Sequence, residues 1–351
     1  MVDVLKIYFW DVKIMRFLKD NIFVTAPSDA IYSEGDKLRL ENAIKKFNNI
    51  GIKVILGKTV EMKNLYNDEE YKLKALEVEK ALLDDNIDTV IAANGGETEI
   101  NIIEYFDFEK LKDKKEVKKI FQGFSDNSIL TFLLATLSDW KTYYAPCFPT
   151  FGYDNWDKTI SDNLELLKGN IIEQSSQDFF ETYSFKKVKG KELYGYNLDT
   201  PNKVVDLTNN DNFIINGTLL GRCMDVLKAI INTKYDKLRE YNRKHKNIIW
   251  FIENCALSIE ELKSTLQSME KNEWFKNVRC FMIGRGKITL DQQFLNEQNK
   301  ILLNILSKYN VPIIINCDFG HVRPFNTLIT GGDAILTYKN GKYTIKYENI
   351  N

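Results

Sequence analysis

Residues 117–132 read VKKIFQGFSDNSILTF. A β-branched and apolar run, VKKIFQ (117–122), stops at Gly123-Phe124-Ser125-Asp126, and an apolar stretch of helical length, SILTFLLATL (128–137), begins at once. The stretch predicts a buried strand that turns sharply into a buried helix. A serine in such a turn has two readings. In the first it is a nucleophile pushed out at the carboxyl end of a sheet, beside the free N–H groups of the helix and the main-chain N–H of Asp126. In the second, Ser125 or Asp126 caps the first turn of the helix. Gly123 suits the sharp turn, whereas Asn127 stands where a G-x-S-x-G pattern has its second glycine.

The same alternation extends outward. IFVTAP (22–27), IKVILG (52–57) and DTVIAAN (88–94) read as further strands, with helices predicted over 36–49 and about 68–85. Leu40, Ala43, Ile44 and Phe47 recur at helical spacing in the first of these helices. Strands alternating with helices predict a doubly wound parallel sheet for roughly residues 20–150. From about 153 to 205 the periodicity weakens, which suggests a connection partly ordered as binding loops. Strands return at 247–253, 278–284 and 311–317, with capping boxes at Ser258–Glu261 and Thr289–Gln292 and a tight hairpin at Asn340-Gly341. The second half therefore reads as a mixed α/β domain. Leu5, Ile7 and Phe9 alternate as in one extra strand near the N-terminus.

Composition narrows the function. The chain has 351 residues, 44% apolar and 28% charged, enough for about two domains with sizeable cores. Forty-eight basic and 49 acidic residues leave a net charge of −1, with no basic block. Nucleic acid or a membrane surface is therefore not the expected partner. The five cysteines are odd in number and form no C-x-x-C pair, so neither a disulfide framework nor a zinc site is expected, and reduced thiols fit a cytoplasmic protein. No apolar stretch reaches membrane-spanning length, and charges interrupt the N-terminal segment where a signal peptide would be apolar.

A serine nucleophile needs a base, and the base needs an orienting carboxylate. The chain has only two histidines. His245 sits in a solvated basic run, REYNRKHKN, and is given no role. His321 follows the apolar strand VPIIINC, beside Gly320. Glu253 ends the strand NIIWFIE, where a charge after so apolar a run is unusual. Each also reads as an ordinary surface or strand-end residue. Gly95-Gly96, after DTVIAAN, permit close backbone approach to a ligand or simply a strand-to-loop turn.

Several stretches in this order resemble the LD-carboxypeptidase family of serine peptidases, which includes the microcin C self-immunity peptidases. They are FVTAPSD (23–29), AANGGETEINIIEYFDFEKL (92–111), KKIFQGFSDNSIL (118–130), TYYAP (142–146), NGTLLGRCMDVL (216–227), FIENCALS (251–258), IGRGK (283–287) and FGHVRPFNTLITGGDAIL (319–336). The resemblance runs from about residue 16 to the end. It implies a flavodoxin-like N-terminal domain (16–152), a connecting segment (153–205), a C-terminal mixed α/β barrel-like domain (206–351) and a homodimer. It further implies a Ser125–Glu253–His321 triad at the domain boundary, with oxyanion donors from the backbones of Asp126 and of Gly95 or Gly96. No metal or organic cofactor is implied. This chain departs from the family at Ala93–Glu97, where cell-wall enzymes often show R-G-G-Y-G. It also departs at Glu99-Ile100, where the immunity branch usually has Ser-Asn, and at Arg222, where glycine is common.

The substrate implied is a small peptide or peptide-nucleotide conjugate. Arg222, Arg285 and Arg323 are candidates for binding a terminal carboxylate. Trp156, with Phe179, Phe180 and Tyr183, is a candidate platform for a base. Core packing is the competing reading for the aromatics, and a structural or surface role for the arginines. Two leading alternatives are carried forward: cleavage of a microcin-like aminonucleotide conjugate, and release of D-alanine from muropeptides. A catalytically silent binding protein on the same fold is the third. An α/β-hydrolase esterase shares the Ser-acid-His order but lacks its glycine motifs.

Overall fold

A computed structural model describes residues 15–113, 118–170 and 173–348. The extra strand expected around Leu5, Ile7 and Phe9 lies outside the described residues. The first sheet contains β1 (Asn21–Thr25), β2 (Lys53–Leu56), β3 (Thr89–Ala92), β4 (Lys118–Gly123) and β5 (Thr142–Tyr144) in the order β2-β1-β3-β4-β5, all parallel. This is the flavodoxin-like strand order, which places ligands beyond the carboxyl ends of the strands. Met15–Arg16 adds a short parallel pairing to β4, and Leu328–Thr330 pairs antiparallel with β5. β3 is buried at all four positions, as a central parallel strand covered on both faces must be.

Helices cover this sheet where the sequence predicts them. α1 (Glu34–Asn49) starts at Ser33, whose side chain accepts from the Asp36 N–H, and buries Leu40, Ala43 and Phe47. α2 (Asp68–Leu83) starts at Asn67, which accepts from the Glu70 N–H. α3 (Ser128–Ser138) is buried at nearly every position, so it lies sandwiched rather than on the surface. A fourth helix, α4 (Lys158–Leu167), occupies the segment read from sequence as irregular; its Ile160, Leu164 and Leu167 face the core. Ten residues give that period too few turns to stand out among polar neighbours.

The second sheet has eight strands. At its centre, β6 (Asn212–Cys223), β7 (Ile248–Glu253), β8 (Val278–Gly284) and β9 (Ile313–Cys317) run parallel in that order. β10 (Asp333–Lys339) and β11 (Lys342–Glu348) extend it antiparallel from β6 through the Asn340-Gly341 turn, where both residues have positive φ. Val205–Asp206 and Glu173–Ser175 pair at the two ends. The parallel centre and antiparallel flanks of this sheet give the second half the mixed α/β architecture read from sequence. Helices α5 (Ile259–Lys271) and α6 (Gln292–Leu306) pack beside it. Ser258 and Glu261 form the expected capping box of α5. The box expected at Thr289–Gln292 is replaced: Asp291 caps α6 by accepting from the N–H groups of Gln293 and Phe294, while Thr289 donates to the Gly286 carbonyl. A carboxylate immediately before the helix reaches two free N–H groups, and the threonine falls two residues too early, within the short turn Lys287–Leu290.

The two sheets share a core. One apolar cluster joins Val24, Ile91 and Tyr144 of the first sheet to Leu219, Phe251, Leu336 and Ile345 of the second. Among the described residues no helix is long and apolar enough to cross a membrane.

Candidate active site

β4 ends at Gly123, and Ser125–Asn127 makes one tight helical turn before α3. A Cβ at Gly123 would lie 2.6 Å from Asn127 Cβ, so the turn needs the glycine. Ser125 has φ +60°, a left-handed backbone that costs a serine on the order of 1–3 kcal/mol unless its surroundings impose it. The surroundings here are dense. Asn127 Nδ2 donates to the carbonyls of Asn94 (2.7 Å) and Phe124 (3.0 Å). The buried Asp126 carboxylate accepts from Ser28 Oγ (2.5 Å) and the Glu99 N–H (2.8 Å). Lys74, buried and paired with Glu70, donates to the Ser28 carbonyl at 2.6 Å. The ends of β1, β3 and β4 are thus tied together around Ser125.

Ser125 does not cap the helix: neither this turn nor α3 has a side-chain capping bond. Its Oγ lies 3.0 Å from His321 Nε2 instead. His321 Nδ1 lies 2.9 Å from Glu253 Oε2, which also accepts from the His321 main-chain N–H at 2.9 Å. The other carboxylate oxygen, Oε1, accepts from Tyr144 OH at 2.5 Å. Three residues separated by 128 and 68 positions therefore form one hydrogen-bonded chain (253 − 125 = 128; 321 − 253 = 68). Glu253 is fully buried at the end of β7, and His321 follows β9 with its side chain 9% exposed. Gly320 has φ +107°, and a Cβ there would lie 2.5 Å from Glu253 Oε2. Glycine is what lets the loop close over the carboxylate.

Burial alone disfavours the imidazolium of His321. The Glu253 carboxylate beside it, helped by Cys255, more than offsets this and holds the ring at about 9, above its ordinary 6.5. The cluster thus favours a positive imidazole, the species formed when the ring accepts a proton.

Gly95 approaches Ser125 closely: a Cβ built on it would meet Ser125 Cβ at 3.0 Å and Oγ at 3.3 Å. Gly96 abuts Ser28 and Asp29. Both line a cleft of about 700 Å³ that also contains Ser125, His321, Arg323, Tyr153, Tyr183 and Lys186. Arg323 lies in this cleft, 4.7 Å over the Phe124 ring, with Nη1 donating to the Gly320 carbonyl at 2.7 Å. The other candidates fall elsewhere among the described residues. Arg222 is fully buried over the rings of Tyr144 and Phe251, donates to Thr142 Oγ1 at 3.2 Å, and is lowered to about 9 by that burial. Arg285 pairs with buried Asp318 at 2.6 Å. Trp156 packs on Phe151 and donates to its carbonyl. Of the platform aromatics, Tyr183 reaches the cleft lining.

The sequence reading missed Tyr144. It ends a short strand, and register places it next to Gly123 of β4, two residues before the serine. That adjacency is invisible until the strands pair. The reading also passed over Cys147, which lines the cleft and whose thiol is pushed up to about 12 by burial, which disfavours the reactive thiolate.

Models of the LD-carboxypeptidase N-terminal and C-terminal domains match residues 22–145 and 216–336. The chain belongs to the LD-carboxypeptidase family. As a member it is a serine-type peptidase. A provisionally named carboxypeptidase of Treponema pallidum (strain Nichols) is 24% identical over 330 residues, covering 91% of this chain and 90% of its own. Among solved structures, the microcin C7 self-immunity protein MccF without ligand has the same fold (TM-score 0.78, 18% identity, 96% of this chain and 99% of that one). An MccF-like protein from Streptococcus pneumoniae in complex with AMP also shares it (TM-score 0.77, 22% identity, 95% and 99%). Two of the three family departures noted in the sequence, Glu99 and Arg222, are buried within electrostatic reach of one another. Burial, with the Asp126 charge nearby, pushes Glu99 well above the usual carboxylate range.

Proposed function

We propose that this LD-carboxypeptidase family member hydrolyses an amide bond through a Ser125–His321–Glu253 triad and an acyl-enzyme. The observation that carries the reading is the unbroken chain Ser125 Oγ–His321 Nε2 (3.0 Å) and His321 Nδ1–Glu253 Oε2 (2.9 Å). His321 accepts the Ser125 proton as the hydroxyl attacks the carbonyl carbon. Glu253 holds Nδ1–H and stabilises the imidazolium. The backbone N–H groups of Asp126 and of Gly95 or Gly96 receive the oxyanion, each worth about 3 kcal/mol when well aimed. His321 then protonates the leaving amine, and water, activated by the same ring, releases the acyl group.

For substrate, the reading is a peptide or aminoacyl group joined to a nucleotide-like leaving group. Support comes from the cleft of about 700 Å³, with Tyr153 and Tyr183 for a base and Arg323 for an anionic group; Arg39 and Lys186 also line it, both paired with Asp36. Relatives of this fold have been solved with AMP and with aspartyl sulfamoyl adenosine. The alternative, D-alanine release from muropeptides, rests on the family name. A cytoplasmic homodimer is part of the proposal; free thiols throughout the chain agree with a reducing compartment. The test incubates purified protein with an aminoacyl sulfamoyl adenosine and, separately, with a muropeptide tetrapeptide, identifying products by mass spectrometry. Free amino acid and sulfamoyl adenosine are expected; D-alanine from the muropeptide alone would refute the nucleotide reading.

A further inference from the structure

Beneath the His321–Glu253 pair lies a thiol that the proposed chemistry does not use. β6 and β7 pair in parallel with Cys223 opposite Glu253, so the two side chains leave the sheet side by side. Cys223, Glu253 and His321 each offer one ligand atom, and these atoms all lie within 4.8 Å of one another. Cys223 and Glu253 are buried, and His321 Nδ1 faces the carboxylate. Asp225 ties the two cysteine positions together: its Oδ2 accepts from Cys223 Sγ at 3.3 Å and from the Cys255 main-chain N–H at 2.9 Å. Cys255 is half-buried on the loop after β7, within hydrogen-bonding reach of His321 and near Cys223.

The geometry points to an inhibitory zinc site, in which Cys223 Sγ, the Glu253 carboxylate and His321 Nδ1 hold Zn²⁺ and Cys255 or a water completes the tetrahedron. A mixed sulfur, nitrogen and oxygen donor set suits zinc and not calcium or magnesium, which take oxygen. Bonds of about 2.0–2.3 Å in a tetrahedron require Cys223 Sγ to draw in, while His321 Nδ1 and Glu253 Oε2, 2.9 Å apart, spread to admit the ion. Binding has a defined proton balance. Starting from the imidazolium, the Cys223 thiol proton and the Nδ1 proton leave, so affinity rises with pH. The remaining ring proton stays on Nε2, facing Ser125. A ring in that state cannot accept the serine proton, and Glu253 no longer pairs with it.

Metal binding stands apart from the roles proposed for the triad; the loss of turnover rests on them. Metal-free full-length protein is titrated with Co²⁺, which reports thiolate ligation through a near-ultraviolet charge-transfer band. One Co²⁺ per chain with that band, displaced by Zn²⁺, is expected. Cys223→Ser abolishes or diminishes the band and weakens binding by about 10-fold or more, as loss of a zinc-site group does; Ser125→Ala keeps both. No band in the unmodified protein, or an undiminished band in Cys223→Ser, overturns the site. X-ray absorption of the zinc-loaded protein needs no variant: sulfur at about 2.3 Å supports it, and a shell of nitrogen and oxygen alone overturns it. Turnover is read separately. If zinc binds with sulfur in its shell and hydrolysis continues, the inhibitory role and the base role of His321 fall while the site remains.

Discussion

Tyr144 donates its hydroxyl to Glu253 Oε1 at 2.5 Å, joining the last parallel strand of one sheet to the central strand of the other. Both groups are fully buried. The bond fixes one carboxylate oxygen and leaves the other aimed at His321. Removing it leaves a buried charge with one partner fewer, a loss of about 1.5–3 kcal/mol for a hydrogen bond to a charged group. Tyr144→Phe is therefore expected to lower kcat by roughly 10- to 100-fold with little change in KM. An unchanged kcat would mean that His321 and the loop hold Glu253 without it.

Gly320 closes over the same carboxylate. With φ +107° and a Cβ position 2.5 Å from Glu253 Oε2, alanine meets both backbone strain and a steric clash. Gly320→Ala is expected to destabilise the fold by about 1–3 kcal/mol, visible as a lower Tm, and to abolish turnover by displacing Glu253. Retention of full activity would show that the loop moves at no cost to the pair.

The raised pKa of His321 has a sign that can be measured. In the proposed mechanism the ring is a base only when neutral, so kcat/KM is expected to rise with pH, with an acid limb above 6.5 and towards about 9. Glu253→Gln removes the charge that favours the imidazolium and moves that limb to lower pH, with a lower plateau. For stability the sign is opposite: the ion pair contributes fully below the unfolded value of 6.5 and is lost as pH rises through about 9. A limb below 6.5 would contradict this account of the pair.

Gly95→Ala probes the proposed oxyanion site. Its backbone φ is not in the left-handed region, so the substitution is tolerated there, but the new methyl sits 3.0 Å from Ser125 Cβ and 3.3 Å from Oγ. A fall in kcat of about 10-fold or more, with Tm near that of the parent, is expected. Equal losses in Tm and kcat would point to a structural role only.

Much of this arrangement was readable from the chain. Apolar runs such as VIAA and IIWFI are long and continuous because central parallel strands are buried on both faces, and they marked the sheets. The sharp Gly123–Asp126 junction marked the serine. What periodicity could not supply was pairing. Only the register of β5 against β4 brings Tyr144 beside Ser125's turn, and only the register of β6 against β7 puts Cys223 beside Glu253. The sequence could not sort the three candidate arginines for a related reason. Arg222 and Arg285 occupy matching stretches, yet one is sunk over aromatic rings and the other is committed to Asp318, facts that depend on three-dimensional neighbours.

The most direct test of the proposed Ser125 nucleophile is intact-mass and peptide mass spectrometry after reaction with a fluorophosphonate probe, alongside kcat/KM for Ser125→Ala. A single phosphonyl adduct on Ser125, absent from the variant, together with a loss of activity of about 10³-fold or more, is the predicted result. An adduct on another residue, or a Ser125→Ala protein that turns over substrate at the parent rate, would contradict it.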